Sequence, residues 1–151
     1  MWTVLPRVSW PHSAAKASAC GPGSATEFIA VLNRARRTNP ALQSDAGLRF
    51  LKIDNEQMIA YAKTSADGAN TVVCVVNLDP HHTQSGWVEL EQDKLGIQPG
   101  QAYQLHDLIT GSHFLWHGER NFVSLDPQRT PVHVMELRSR LKRENDFDYF
   151  L

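Results

Sequence analysis

Residues 71–90 read TVVCVVNLDPHHTQSGWVEL, and the first part of that stretch decides the fold. Between Thr71 and Leu78, Val72, Val73, Val75 and Val76 surround Cys74, so both faces of the element are apolar. The run is far short of the roughly 20 residues a membrane span needs. Its β-branched side chains fit a pleated surface better than a helix. A strand that is apolar on both faces is covered on both, so this segment is expected at the centre of a sheet. Asp79-Pro80-His81-His82 follows as turn chemistry. Gly86 to Leu90 then alternates Val88 and Leu90 against Trp87 and Glu89, the period of a strand with one face in the core. Trp87 therefore points outward, and an outward tryptophan calls for a reason. It either stacks on a ligand or packs on another domain or on the leading helix.

Working outward from this stretch, short runs rich in Val, Ile, Leu and aromatics continue from Pro40 almost to the end. The strands expected are Gly47 to Ile53, Gln57 to Lys63, Thr71 to Leu78, Gly86 to Leu90, Ala102 to Leu108, His113 to Trp116, Asn121 to Leu125 and Val132 to Leu137. Between them stand Asp54-Asn55, Asp67-Gly68, Pro99-Gly100, Thr110-Gly111, Gly118-Glu119 and Asp126-Pro127, residues that favour turns. Short strands with no helix between them indicate a mainly β fold, an antiparallel β-sandwich or barrel of about eight strands over residues 41–138. Residues 24–40 differ. Ser24 followed by Glu27 is a capping box, and Phe28, Val31, Leu32 and Ala35 recur at helical spacing. One α-helix from about Ala25 to Arg37 is expected, with Arg34, Arg36 and Arg37 complementing its dipole and Asn39-Pro40 ending it. Residues 1–23, with three prolines and no acidic residue, read as a disordered or non-native leader, and 139–151 as a tail that docks through Phe147, Tyr149 and Phe150 or frays.

The chain has 151 residues and a formal charge of -1, so it carries no overall electrostatic signature for nucleic acid or an anionic membrane. Its length also excludes a (β/α)₈ barrel, which takes roughly 250 residues. Two cysteines, Cys20 in the leader and Cys74 in the valine run, suit a reducing, cytoplasmic compartment better than a disulfide.

Chemistry-bearing constellations are sparse. His113 and His117 stand four apart in a β-run, which separates them by about 13 Å. His81-His82 with Asp79 is the remaining metal candidate, but no CxxC or HExxH spacing supports it, and neither metal nor cofactor is expected. No GxSxG elbow or Gly-rich phosphate loop occurs, and Cys74 in its apolar run would be a protonated core thiol. The aromatics are more informative, because a sugar's apolar face stacks on an aromatic ring. Trp116 shares a strand face with Phe114 and reads as core. Trp87, Tyr103, His81 and His82 are the candidates for holding a sugar.

Four stretches carry a family resemblance: EFIAVLNRARRTNPALQ (Glu27 to Gln43), DNEQMIAYAKT (Asp54 to Thr64), VVNLDPHHTQSGWVEL (Val75 to Leu90) and YQLHDLITGSHFLWHG (Tyr103 to Gly118). From Thr26 to Leu137 the chain resembles the end of the bacterial maltosyltransferases that extend α-1,4-glucan from maltose 1-phosphate, members of the α-amylase superfamily (glycoside hydrolase family 13). The resemblance implies that the helix at Glu27 to Arg37 is the last of a catalytic barrel, and that the β-rich part is the C-terminal sandwich of such enzymes. It also implies that the Asp nucleophile and Glu acid/base belong to a barrel this chain does not contain, so no catalytic residue is carried over. The expectation is a non-catalytic accessory domain of an enzyme of α-glucan (glycogen) synthesis, on a chain that looks like a fragment with an unrelated leader. Its partner is the barrel. In the barrel's absence, Phe28, Val31 and Leu32 pack on the chain's own sandwich or on a second copy. The alternative is a carbohydrate-binding module for linear α-glucan.

Overall fold

The structure, a computed structural model, describes residues 24–138. The expected leader 1–23, with Cys20, and the expected tail 139–151 lie outside the described residues. Helix α1 spans Ala25–Thr38 and opens as the capping box requires: Ser24 Oγ accepts the Glu27 backbone N–H at 3.2 Å. Asn39 closes it, giving both its backbone N–H and its side-chain amide to the Ala35 carbonyl. A 3₁₀ turn over Pro40–Gln43 leads into the sheet.

Eight strands follow: β1 (Leu48–Ile53), β2 (Met58–Thr64), β3 (Thr71–Asn77), β4 (Gln84–Glu89), β5 (Tyr103–Asp107), β6 (His113–Trp116), β7 (Arg120–Leu125) and β8 (Val132–Arg138). They form one antiparallel sheet in the order β6-β5-β8-β3-β2-β1-β4-β7. β1 is shared. Leu48 to Leu51 pair with β2, whereas Lys52 and Ile53 pair with β4. At that strand the sheet turns over on itself, and the two layers expected of a sandwich are halves of a nearly closed, barrel-like sheet. The inner faces meet in one core: Met58, Ala60, Ala62, Val73, Val75, Leu105 and Met135 pack with Val88, Leu90, Val123 and Leu125 from the β4–β7 ribbon.

The valine run occupies the centre, between β2 and β8. Val73 and Val75 face the core, while Val72 and Cys74 face outward under Ala41, Leu32, Leu42, Leu108 and Ile109. Both faces are covered, as a doubly apolar strand requires. Burial pushes the Cys74 thiol up to about 11, which keeps it protonated. Helix α1 rests on this second cluster through Leu32. Phe28 and Val31 are half-buried, and Ile29 stays 57% exposed.

The β1–β2 hairpin begins at a close approach. The Gly47 carbonyl accepts the Thr64 N–H at 3.2 Å, and a Cβ on Gly47 would lie 1.9 Å from the Thr64 carbonyl oxygen. Gly47→Ala must therefore push the two strand ends apart. We expect a loss of about 1–3 kcal/mol, the range for forced overpacking, measured by urea unfolding. An unchanged midpoint would show that the hairpin end carries no stability.

Candidate functional site

The β4–β7 ribbon presents alternate residues outward. Register sets Trp87 opposite Phe122 and Glu89 opposite Arg120. Their inward neighbours Val88 and Val123 are buried, so both aromatics stand on the outer surface, Trp87 44% and Phe122 55% exposed. The outward orientation read for Trp87 holds. Its ring meets Phe122 edge-on at 5.5 Å between centroids, and the Arg120 guanidinium sits over it at 5.7 Å. Arg120 also reaches Glu89 at 3.4 Å and Asp54 at 3.7 Å. Asp54 in turn accepts the Trp87 backbone N–H at 2.7 Å, which ties the β1 end to this patch.

His81 and His82 lie in the exposed turn before β4, organised by Asp79. Its Oδ1 accepts both histidine backbone N–H groups at 2.8 and 3.2 Å, and its Oδ2 takes the Gln84 side-chain amide at 2.9 Å and meets His82 Nδ1 at 3.0 Å. The His81 backbone N–H, with lesser help from Gln84 and His82 and against the effect of burial, holds the Asp79 carboxyl well below the usual carboxylate range. Among the described residues no group of three or more His, Cys, Asp and Glu is placed to hold a metal ion. Tyr103 lies elsewhere. Its side chain is fully buried, edge-on to Trp116 at 6.4 Å, and its hydroxyl donates to the Gly118 carbonyl at 2.8 Å and accepts from Asn121 Nδ2 at 2.9 Å. Burial pushes this phenol up to about 12. The structure thus brings His81 and His82 together, leaves Trp87 on the outer face, and places Tyr103 in the core, away from any surface ligand.

Three features escaped the sequence reading. Phe122 and Arg120 accompany Trp87 because β7 alternates as strictly as β4, a signal present in Arg120-Asn-Phe-Val-Ser-Leu125. The third is Asp107, a fully buried carboxylate inside the core. Its Oδ2 meets His133 Nδ1 at 2.7 Å and accepts the Thr110 hydroxyl at 2.8 Å, while Oδ1 accepts the Ile109 N–H at 3.0 Å and the Val134 N–H at 3.4 Å. Burial opposes ionisation, but the His133, Ile109 and Thr110 hydrogen bonds outweigh it and hold the carboxyl below its ordinary value. The Asp-Leu-Ile-Thr-Gly run was the available signal, an Asp and a Thr placed to hydrogen-bond their own turn.

Beside this pair a cavity of about 110 Å³ opens at the seam between β6 and β7, lined by Phe114, Trp116, Phe122, Ser124, His133 and Met135.

Comparison with known proteins gives this surface a family context. The family described as "GLGE, C-terminal" matches residues 50–137. The α-1,4-glucan:maltose-1-phosphate maltosyltransferase of Corynebacterium glutamicum is 45% identical over 114 residues, covering 76% of this chain and 17% of the relative. That of Methylacidiphilum infernorum is 39% identical over 116 residues, covering 77% and 17%, and maltosyltransferase 1 of Streptomyces coelicolor is 40% identical over 133 residues, covering 88% and 18%. The chain thus spans less than a fifth of the length of these relatives. Among solved structures, the α-amylase of Geobacillus thermoleovorans complexed with acarbose aligns at TM-score 0.54 and 20% identity over 78% of this chain and 24% of that one. An Anoxybacillus α-amylase aligns at 0.54 and 19% over 76% and 22%. At that identity they show a shared fold. The family match over more than half of the chain, together with relatives at 39–45% identity, shows that this chain belongs to the GLGE C-terminal domain family.

Proposed function

We propose that this domain is the non-catalytic C-terminal accessory part of an α-amylase-family maltosyltransferase acting in α-glucan (glycogen) synthesis, where it packs on and stabilises the catalytic barrel. The observation that carries this reading is α1. Leu32 anchors the helix to the domain, while Ile29 stays open and Phe28 and Val31 are only half-covered. An amphipathic helix with part of its apolar side uncovered fits a partner surface. The relatives support the choice of partner, since this chain corresponds to less than a fifth of enzymes named as maltosyltransferases. A cytoplasmic, reducing setting goes with the reading, supported by the free thiol of Cys74.

The test mixes this chain with the separately expressed remainder of the Corynebacterium relative. Association and a gain in maltosyl transfer are expected, with Ile29→Asp weakening association at least about tenfold while circular dichroism stays unchanged. Maltosyl transfer by this chain alone, or no association with the barrel, overturns the proposal. Without a barrel, the uncovered part of that face, Phe28, Ile29 and Val31, pairs two copies while Leu32 stays on its own domain, read by sedimentation as a dimer that Ile29→Asp dissolves.

A second reading is favoured by one observation, the exposed Trp87 beside Phe122 and Arg120. On it, the domain also holds linear α-glucan, α-1,4-glucan being the word in its relatives' names, with His81 and His82 in the turn before β4 offering polar groups for hydroxyls.

A further inference from the structure

We infer that the seam between β6 and β7 is a pocket for one hexopyranose unit at the end of a neutral glucan chain, with the Phe122–Trp87 pair as its adjoining platform. This rests on the link to α-glucan proposed above and goes beyond it by naming a site that does not centre on Trp87.

Strands β6 and β7 are the two edges of the sheet, so the barrel is left unsealed between them. Below the gap the chain is held firmly: the His117 N–H donates to Asn121 Oδ1 at 3.1 Å, and Tyr103 and Asn121 hold the Gly118 turn. The cavity above measures about 110 Å³. That falls short of the roughly 150 Å³ apolar cavity that admits benzene, so the cavity takes one edge of a terminal hexopyranose and leaves the rest of the ring at the open seam.

Its walls select the kind of ring. Phe114, Trp116 and Phe122 offer aromatic surface, and Ser124 and His133 supply the polar groups. No Asp, Glu, Lys or Arg lines it, so a phosphate, carboxylate or ammonium ligand gains no counter-charge there. Apolar surface with a few oriented polar atoms and no charge suits a neutral polyol ring with C–H faces and hydroxyl edges. The histidine is already positioned. Asp107 Oδ2 stands 2.7 Å from its Nδ1, which leaves Nε2 for a hydroxyl, and the ring lies against Phe114 at 5.2 Å. A side chain fixed in this way loses little freedom on binding.

Phe122 belongs to both surfaces, lining the cavity and meeting Trp87 outside it. A chain end seated in the pocket therefore leads its next unit across Phe122 toward Trp87, where Arg120, Glu89 and Asp54 are available to hydroxyl groups.

The test titrates the full chain with maltoheptaose, glucose and cellohexaose, followed by the indole N–H resonances of Trp116 and Trp87. Maltoheptaose is expected to shift both, more strongly than glucose and with little response to cellohexaose. Phe122→Ala should weaken binding about tenfold. Ser124→Leu, which fills the cavity from an exposed strand position, should abolish it with no change in thermal midpoint. No shift with maltoheptaose overturns the inference, as does binding insensitive to both substitutions or equal for cellohexaose. A chain that binds no glucan yet associates with the barrel sinks this inference alone. One that binds glucan but ignores the barrel sinks the accessory reading alone.

Discussion

Replacing Asp107 with alanine is expected to cost about 3–5 kcal/mol of stability, the penalty for removing one member of a buried pair. The carboxylate is 0% exposed and gathers four partners from two elements: His133 and the Val134 N–H on β8, and the Ile109 N–H and Thr110 hydroxyl in the β5–β6 turn. Without it, the His133 ring and the Ile109 N–H lose their buried acceptor, and the turn is left with the Leu108 N–H to Val134 carbonyl bond as its hydrogen bond to β8. The same group makes stability depend on acid. Because its folded-state pKa is depressed, the stabilisation is fully present above the unfolded carboxylate value near 3.9, and it is lost as pH falls through the lower folded-state value. Thermal unfolding from pH 6 to 3 should show the wild-type midpoint falling more steeply below about pH 4 than that of Asp107→Asn. Parallel curves for the two proteins would remove Asp107 from the account of acid sensitivity.

Trp116→Ala is expected to cost about 3–5 kcal/mol, the range for truncating a large buried aromatic. The reason is leverage. β6 has only four residues, lies at the sheet edge and pairs with β5 alone. Its outward residues His113 and Leu115 are exposed, so Trp116, 7% exposed and edge-on to Tyr103, is the main attachment of β6 to the core, with half-buried Phe114 beside it. Urea unfolding should show a lower midpoint with the slope preserved, and a loss under about 1 kcal/mol would show that the ring's space is readily refilled. If β6 instead melts by itself, the slope falls too, since less surface is then exposed in the main transition.

Most of the fold was legible because its central strand is apolar on both faces and the strands around it alternate on one. Thr71–Asn77 landed between two neighbours, Trp87 faced out, and Trp116 faced in. Tyr103 was harder to place, because as an aromatic it suited a sugar, yet its parity with Leu105 puts it in the core and its hydroxyl finds partners there. The same parity puts Asp107 inside, a position that looks prohibitive for a charge until the donors from β8 are known. Those donors are 26 and 27 residues away in sequence, which no local pattern reveals. The double pairing of β1 was equally hidden: Leu48 and Phe50 are exposed although apolar, so the alternation there gives no clue that the strand changes partners after Leu51. The seam pocket is a product of closure, joining residues of β6, β7 and β8 that share no motif.

The strand order also has a consequence for synthesis on the ribosome. β8, the last strand among the described residues, is the one that joins β3 to β5. A nascent chain stopped short of it has β3 and β5 each with an open edge, and the Asp107 carboxylate with neither His133 nor Val134 to receive. Such unpaired edges are what chaperones cover and what aggregation exploits. The domain therefore cannot be assembled piecemeal as it is translated: until Val132–Arg138 is free of the exit tunnel, the sheet lacks the strand that joins β5 and β6 to the rest.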